Sequence, residues 1–524
     1  MQAALTPPAR RAIQRLRLNT ASLRLCFPAV FKRSITSNMS PLKNPDATTV
    51  SGRKRSAPDS RPISPPLVKR KTAQPAISKS AVANFFTPAS QKPKEPTVWT
   101  ERSPSKDTPA TLLVAKYVSP VTESSDKEKQ DSQIKRRKIA AFDLDSTLIT
   151  PASGKKHADG PGDWKWWHHS VCPKLRELYE QDYQIIIFTN QGGLTLHPDP
   201  KSSSSKTPKS HADRVAHFKK KCNSVLPAIG IPDMTLYAAT GKDIFRKPRT
   251  GMWDEMLKDL ELKQEEIDLA ESFFVGDAGG RIATTTVAAT AGVLGKAKAV
   301  TIPKDFSCSD RNMAANIGIK YLTPEQFFLG ETEERKWVRD VDLEKFGFSE
   351  DEDMKWEKKY EKEMVLFVGP PGAGKSTFSS KYLSPLGYER VNQDLLKTRD
   401  KCIKVAGEAL VGGRSVVIDA TNPDPDTRSQ WIELAKKHKT PVRCVWFKTP
   451  LELCLHNDAV RGLNRTKEHN PEARGLLPGI AFNGFKARFK APNKEKEGFE
   501  EVVEVEFRFR GSREEYEVWG RYWV

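Results

Sequence analysis

The sequence is poor in cysteine and has no long hydrophobic run. Its seven cysteines, Cys26, Cys172, Cys222, Cys308, Cys402, Cys444 and Cys454, are scattered and odd in number, with no C-x-x-C pair. That distribution argues against a disulfide framework or a zinc site and fits a reducing compartment. The longest uncharged, fairly apolar run lies between Arg281 and Lys296. It is too short, and too rich in Thr and Gly, for a membrane span of about 20 residues, so a soluble chain with no membrane partner is expected. Acidic residues are also missing from the start: none precedes Asp46, whereas eight basic residues do.

What is present divides the chain unevenly. At 524 residues it exceeds the roughly 250 to 300 at which one core stops growing, so two domains are expected. Of 86 Lys+Arg and 66 Asp+Glu, positions 1 to 138 hold 27 basic and 9 acidic residues, leaving the remainder nearly neutral. This first quarter is dense in Pro and Ser with almost no apolar periodicity, which predicts a disordered basic arm over residues 1–134. Charge alone would suit attraction to a polyanion or a merely solvated tail. The arm does carry address-like segments. Arg10, Arg11, Arg15, Arg17, Arg24 and Arg33 alternate with Leu, Ile, Ala, Phe and Ser, a composition similar to a mitochondrial transit peptide. After Met39, Arg53-Lys54-Arg55 and Lys69-Arg70-Lys71 flank a Pro/Ser spacer and resemble a bipartite nuclear-import signal. A nuclear protein with a mitochondrial longer form is the expectation. Val82, Phe85 and Phe86 form a small apolar cluster that a disordered segment cannot bury, spaced as in peptides that bind the replication sliding clamp, with Lys79 where that motif has Gln.

The folded part begins with a strand, Ile139 to Phe142, running into Asp143-Leu144-Asp145-Ser146-Thr147. Two carboxylates at a strand end can converge on one phosphate, one attacking while the other handles a proton. An ordered series follows. Gln184 to Phe188 delivers Thr189-Asn190-Gln191, a hydroxyl and two amides able to hold phosphate oxygens; Arg246-Lys247 supplies two cations; and Ser272 to Val275 ends in Gly276-Asp277. This order resembles the haloacid-dehalogenase phosphatase superfamily over roughly residues 139–330. The chemistry expected is attack by Asp143 on phosphorus, proton transfer by Asp145, and a hold on the phosphate oxygens by Lys247 and Thr189. Mg²⁺ held by Asp143, Asp145 and Asp277 would offset the repulsion between carboxylates and phosphate. Ser146 stands where the superfamily often has Gly, a mild departure if its φ is negative.

In the second half, the strand Met364 to Val368 leads directly into Gly369-Pro370-Pro371-Gly372-Ala373-Gly374-Lys375-Ser376-Thr377. This is a P-loop in its required context: Gly369, Gly372 and Gly374 let backbone N–H groups face phosphates, Lys375 neutralises them, and Ser376 with Thr377 completes the ATP and Mg²⁺ site. Downstream, Asp394 sits where kinases keep the carboxylate that activates an acceptor hydroxyl. The strand Ser415 to Ile418 ends in Asp419-Ala420-Thr421-Asn422, giving Asp419 and Asn422 as candidate phosphate or substrate ligands, beside Asn190 and Arg246 in the first half. A helical stretch from His456 to Arg465 places Arg461 and Arg465 in a candidate lid.

One chain that removes phosphate and also adds it avoids a futile cycle if it acts on two different hydroxyls. Lys138 to Thr150, Gly162-Asp163-Trp164, Ile187 to Gln191, Arg246 to Trp253, Val275 to Arg281 and Asp305 to Asp310 resemble the phosphatase half of the eukaryotic polynucleotide kinase 3′-phosphatase family. Gly369 to Thr377, Val391 to Asp394, Ile418 to Pro423 and His456-Asn457 resemble its kinase half. The resemblance covers about residues 135–524. It implies Asp143 as nucleophile, Asp145 as acid/base, Asp277 as metal ligand, Arg246 and Lys247 near the scissile phosphate, Lys375 and Ser376 on ATP and Mg²⁺, Asp394 as base and Arg461 as lid cation. The implied architecture is α/β, two doubly wound parallel-sheet domains after the arm: a phosphatase at 135–332, a linker at 333–360 and a P-loop kinase at 361–524. The implied substrate is DNA with 3′-phosphate or 5′-hydroxyl ends, in strand-break repair, with a monomer as the expected state. Residues 1–138 lack the repeated strands of a forkhead-associated domain, so recruitment through one is not implied. A metabolite phosphatase fused to a small-molecule kinase is the competing reading. The Lys201–Lys209 insertion has no assigned role, and Val502 to Arg510 should hold a late strand.

Overall fold

Continuous apolar runs, buried on both faces, make the central strands of two sheets. In the computed structural model, residues 96–118, 135–199, 208–287, 299–332, 335–348, 354–464, 470 and 472–524 are described. The transit-like segment, the import-like segment, the Val82/Phe85/Phe86 cluster, most of the 201–209 insertion and Arg465 lie outside them. Among the described residues no helix is long and apolar enough to cross a membrane.

The first sheet contains β1 (Thr97–Arg102), β2 (Leu112–Tyr117) and β3 (Lys138–Phe142). A short flap of β4 (Ile149–Thr150) and β5 (Lys165–Trp166) follows, then helix α1 (Val171–Glu180), β6 (Tyr183–Asn190), helix α2 (Pro208–Ile229) and β7 (Thr235–Ala239). Next come helix α3 (Gly251–Asp259), β8 (Phe273–Val275), the hairpin β9 (Thr284–Val287) with β10 (Ala299–Ile302), helix α4 (Ser309–Ile317) and β11 (Lys320–Leu322). The sheet order is β1-β2-β7-β6-β3-β8-β11. Strands β7, β6, β3, β8 and β11 run parallel, with Phe142 opposite Ile187 on one side and Val275 on the other. Alternation along each strand divides the core. Ala140, Phe142, Ile185 and Ile187 face Leu175 of α1 and Val225 of α2. Ile139, Ala141, Ile186 and Phe188 face Trp253 of α3 and Met313 of α4.

The boundary expected at residue 134 is therefore wrong for residues 97–117. Strand β2 pairs antiparallel with both β1 and β7, and Leu112, Leu113 and Ala115 are fully buried. These two strands cover the edge that β7 would otherwise expose. They belong to the same sheet as the motifs, not to a separate domain.

The second sheet is wholly parallel, in the order β13-β14-β12-β15-β16. Its strands are β12 (Met364–Val368), β13 (Glu389–Asn392), β14 (Val416–Asp419), β15 (Val442–Phe447) and β16 (Glu501–Val505), the last overlapping only the first part of the late strand expected over 502–510. Helices α5 (Lys375–Phe378), α6 (Arg399–Val411), α7 (Pro425–Lys437), α8 (Leu451–Leu463), α9 (Gly479–Arg488) and α10 (Arg513–Trp519) flank it. Leu366 and Val368 face α6 and α7, while Val365 and Phe367 face α5, α8 and α9. Both sheets thus carry helices on both faces, as a doubly wound α/β fold requires.

The described part of the expected 333–360 linker is packed. Trp337 bridges to Arg281, Val341 and Leu343 are buried with Leu453 and Trp519, and Trp356 lies under the Arg443 guanidinium at 4.0 Å. The C-terminal turn closes on the first sheet's helices: the Asn316 amide donates to Pro248 O (2.9 Å) and Tyr522 O (2.8 Å) and accepts from Tyr522 N–H (2.8 Å).

Candidate active sites

Strand β3 is flanked by β6 and β8, so the chain leaves the sheet in different directions on its two sides and opens a crevice at the strand ends. Asp143 stands there, buried. One carboxylate oxygen each of Asp143, Asp277 and Asp310 lies within 4.8 Å of the others. The Lys247 ammonium sits among them, donating to Asp143 (2.6 Å) and Phe188 O (2.8 Å) and ion-paired with Asp310 (2.8 Å). Burial raises the Asp143 carboxyl to about 7, helped by Asp310 and opposed by Lys247. Asp277 is raised well above the carboxylate range by burial and by Asp143 and Asp310. Burial works against the Lys247 charge, but Asp143 and Asp310 outweigh it and raise the lysine. Three desolvated oxygen donors in one cluster fit a hard divalent cation.

Three expectations change here. Lys247 itself stands as the counter-ion of Asp143 and Asp310, with Thr189 and Arg246 as the other groups expected on the phosphate oxygens. Asp145 is not one of the clustered carboxylates: it is exposed, and accepts from Gln191 Nε2 (2.7 Å) and Lys221 Nζ (3.0 Å), a setting for proton transfer and not for metal binding through its side chain. Asn190 is turned to the protein: its amide donates to Lys247 O (3.2 Å) and accepts from Lys247 N–H (3.0 Å), fixing the lysine's backbone. Ser146 has φ +62°, so the glycine common at this position is replaced at a strained site. Thr189 is buried, with its hydroxyl 3.0 Å from Gln191 Nε2. Arg246 presents a buried Nη1 with no hydrogen-bond partner, an orphaned donor at the mouth.

The second site forms where β12 meets the P-loop. Gly372 and Gly374 have φ +78° and +88°, and a Cβ on Gly372 would meet Cys454 O at 2.3 Å, so the loop's curvature requires glycine. Lys375 Nζ donates to Gly369 O (3.0 Å) and Pro370 O (2.5 Å), and burial lowers it to about 8, with Arg461 and Arg474 adding to the depression. Ser376 Oγ donates to Asp419 Oδ2 (2.8 Å), which also takes Arg390 (2.6 Å) and Asn392 Nδ2 (3.0 Å). A carboxylate against Ser376 suits the metal side of a nucleotide site, which corrects its expected role as a phosphate ligand, since two anions would repel. Asn422 is likewise corrected. It is buried at φ +41°, donates to Phe367 O (2.7 Å) and accepts from Trp431 Nε1 (3.3 Å), so its side chain ties the turn after β14 to β12. Asp394 is exposed and pairs with Arg474 (2.9 Å); Arg461 pairs with Asp458, its Nε buried without a partner.

A model described as polynucleotide kinase 3 phosphatase matches residues 138–328, and one described as an AAA domain matches residues 364–492. A bifunctional polynucleotide phosphatase/kinase of Schizosaccharomyces pombe is 36% identical over 455 residues, covering 84% of this chain and 97% of that protein. The chain belongs to the bifunctional polynucleotide phosphatase/kinase family. The chain is also similar to a polynucleotide 3′-phosphatase of Saccharomyces cerevisiae, 26% identical over 37% of this chain and 87% of that one. The phosphatase half and kinase half of the family thus coincide with the two sheets, and the metabolic reading is not favoured.

Several site residues of the phosphatase/kinase were not singled out from the sequence. Asp310 completes the carboxylate cluster from the first turn of α4, and its stretch, Asp305 to Asp310, was visible without a role. Lys221 holds Asp145, together with Gln191, whose amide the sequence offered for phosphate oxygens instead. In the kinase half, Arg390, Glu472 and Arg474 link Asp419 to Asp394 through successive ion pairs. No local signal marks that chain, because its members come together only when the residues before α9 fold over the sheet.

Proposed function

We propose that the chain heals nucleic-acid ends, removing 3′-phosphates in its first half and phosphorylating 5′-hydroxyls with ATP in its second, on broken DNA. The observation that carries this is the pairing, in one chain of this family, of a carboxylate–lysine phosphotransfer centre with a separate P-loop. In the phosphatase half, Asp143 attacks phosphorus to form an aspartyl-phosphate while Asp145 protonates the departing sugar 3′-oxygen. Asp145 then takes a proton from the water that cleaves the acyl-phosphate. Gln191 and Lys221 aim Asp145, and Thr189 and Arg246 hold the non-bridging oxygens. Asp143, Asp277 and Asp310 fit Mg²⁺, as do Ser376 and Asp419, and the ion would supply charge neutralisation. In the kinase half, Lys375 binds the triphosphate, Asp394 accepts the proton of the 5′-hydroxyl, and Arg461 turns from Asp458 toward the transferred group.

The proposal extends to a nuclear address, a mitochondrial longer form and sliding-clamp contact through Val82, Phe85 and Phe86, on the sequence signals named above, and to monomeric action. The decisive experiment gives the purified protein a nicked duplex with 3′-phosphate and 5′-hydroxyl, Mg²⁺ and ATP, and follows both ends by mass. Both should convert; Asp143→Asn should abolish only the 3′ reaction and Lys375→Ala only the 5′ reaction. Loss of both activities in either folded variant would sink the two-site model.

A further inference from the structure

The turn after β6 is bracketed by two guanidinium groups. Its residues Gln191 to Leu194 close with Leu194 N–H donating to Gln191 O (3.0 Å), and its centre is Gly192-Gly193. A Cβ on Gly192 would lie 3.0 Å from Arg246 Nη1, and one on Gly193 would lie 2.7 Å from Arg214 Nη2. Neither glycine has a positive φ, so the turn does not need glycine for its backbone; what the missing side chains allow is close approach by the two cations. Among the described residues neither arginine has a carboxylate partner, and Arg246 Nη1 is buried with no acceptor. Cations gathered without counter-charges beside a phosphate-transfer centre fit an incoming anion.

Arg246 adjoins Lys247 and belongs to the scissile phosphate's surroundings. Arg214 comes from elsewhere. It lies on α2 seven residues before Lys221, which holds Asp145, so the two share a face with their Cα atoms about 10 Å apart along the helix axis. Buried Phe218 lies between them. A cation two helical turns out from the proton-transfer residue is placed for a neighbouring phosphate on the same strand, one that a small phosphomonoester lacks.

Resting on the phosphatase reading above, we propose that Arg214 binds the internucleotide phosphate next to the 3′-terminal nucleotide and is a specificity residue for polynucleotides over small phosphomonoesters. The test compares the full chain with Arg214→Gln and Arg214→Lys on three substrates. These are a 3′-phosphorylated oligonucleotide, the same strand with an uncharged methylphosphonate at the last linkage, and p-nitrophenyl phosphate. Arg214→Gln should lose about tenfold in kcat/KM on the charged strand, and the slope of its logarithm against log salt should fall by about 1. On p-nitrophenyl phosphate it should match wild type, and Arg214→Lys should recover part of the loss. The methylphosphonate should cost wild type a similar factor and Arg214→Gln nothing more. Equal losses by Arg214→Gln on all three substrates, or indifference of wild type to the methylphosphonate, would overturn the proposal and leave the phosphatase reading standing. Failure of wild type on the charged strand, with p-nitrophenyl phosphate still hydrolysed, would overturn both.

Discussion

Two lysines buried among the described residues face opposite surroundings. Lys247 is enclosed by Asp143 and Asp310 and also donates to a backbone carbonyl; among the described residues Lys375 donates to two carbonyls, at Gly369 and Pro370. The first is held charged by its neighbours, the second is pushed toward neutrality by burial. The difference follows from what each site must receive. In the phosphatase half the protein itself brings the negative charge, in the nucleophile and its companions, and the lysine is their internal counter-ion. In the kinase half the negative charge arrives with the ligand, and the lysine waits for it without a carboxylate that would have to be displaced.

The largest effect should come from exchanging each lysine for methionine. Lys247→Met leaves the carboxylates unopposed, so it should abolish phosphatase activity and destabilise the metal-free protein by about 3 kcal/mol, as removal of one partner of a buried pair does. Lys375→Met should abolish kinase activity with no loss of stability, since it removes a desolvated cation whose only partners are carbonyls. Thermal unfolding of both variants without nucleotide or metal checks this. An equal drop in midpoint for the two would remove the distinction.

A smaller effect sharpens the comparison through pH. Burial lowers the Lys375 ammonium to about 8, and triphosphate binding favours the charged form. Below about pH 8 the cation is already present and affinity is flat; above it, binding must take up a proton, and affinity should fall by up to tenfold per pH unit until the complex itself titrates. Calorimetric titration with a non-hydrolysable ATP analogue from about pH 7 to about pH 9.5 measures this, and Lys375→Met should lose the dependence. An unchanged slope in that variant would assign the titration elsewhere.

Legibility in the sequence tracked the same contrast between chemistry and context. Asp143, Asp277, Lys247 and Lys375 could be read because phosphate transfer demands those residue types at strand ends. Asn190 and Asn422 could be seen but not understood: each amide is satisfied by a backbone group more than 50 residues away, a pairing with no local trace. Asp310 was hidden differently, because a carboxylate in the first turn of a helix reads as an ordinary favourable dipole contact. Strands β1 and β2 were lost to averaging. The run Leu112 to Ala115 is strand-like, but it sits in a quarter of the chain whose overall composition is that of an unfolded arm.

The smallest effect concerns Ser146, which stands where the superfamily often has Gly. Ser146, immediately after Asp145, has φ +62°, a conformation that costs a residue with a Cβ about 1 kcal/mol. Its N–H donates to Ile149 O (2.8 Å), a backbone contact that glycine would keep. Ser146→Gly removes the strain but gives the unfolded chain more freedom, which offsets part of the gain. The net should be a stabilisation of about 0.5 kcal/mol, visible as a small rise in the unfolding midpoint. Because Gln191 and Lys221 hold the Asp145 carboxylate from outside this turn, 3′-phosphatase kcat should change by less than about twofold. A large fall in kcat with the midpoint raised would mean that the strained serine, and not those two side chains, sets the position of the acid.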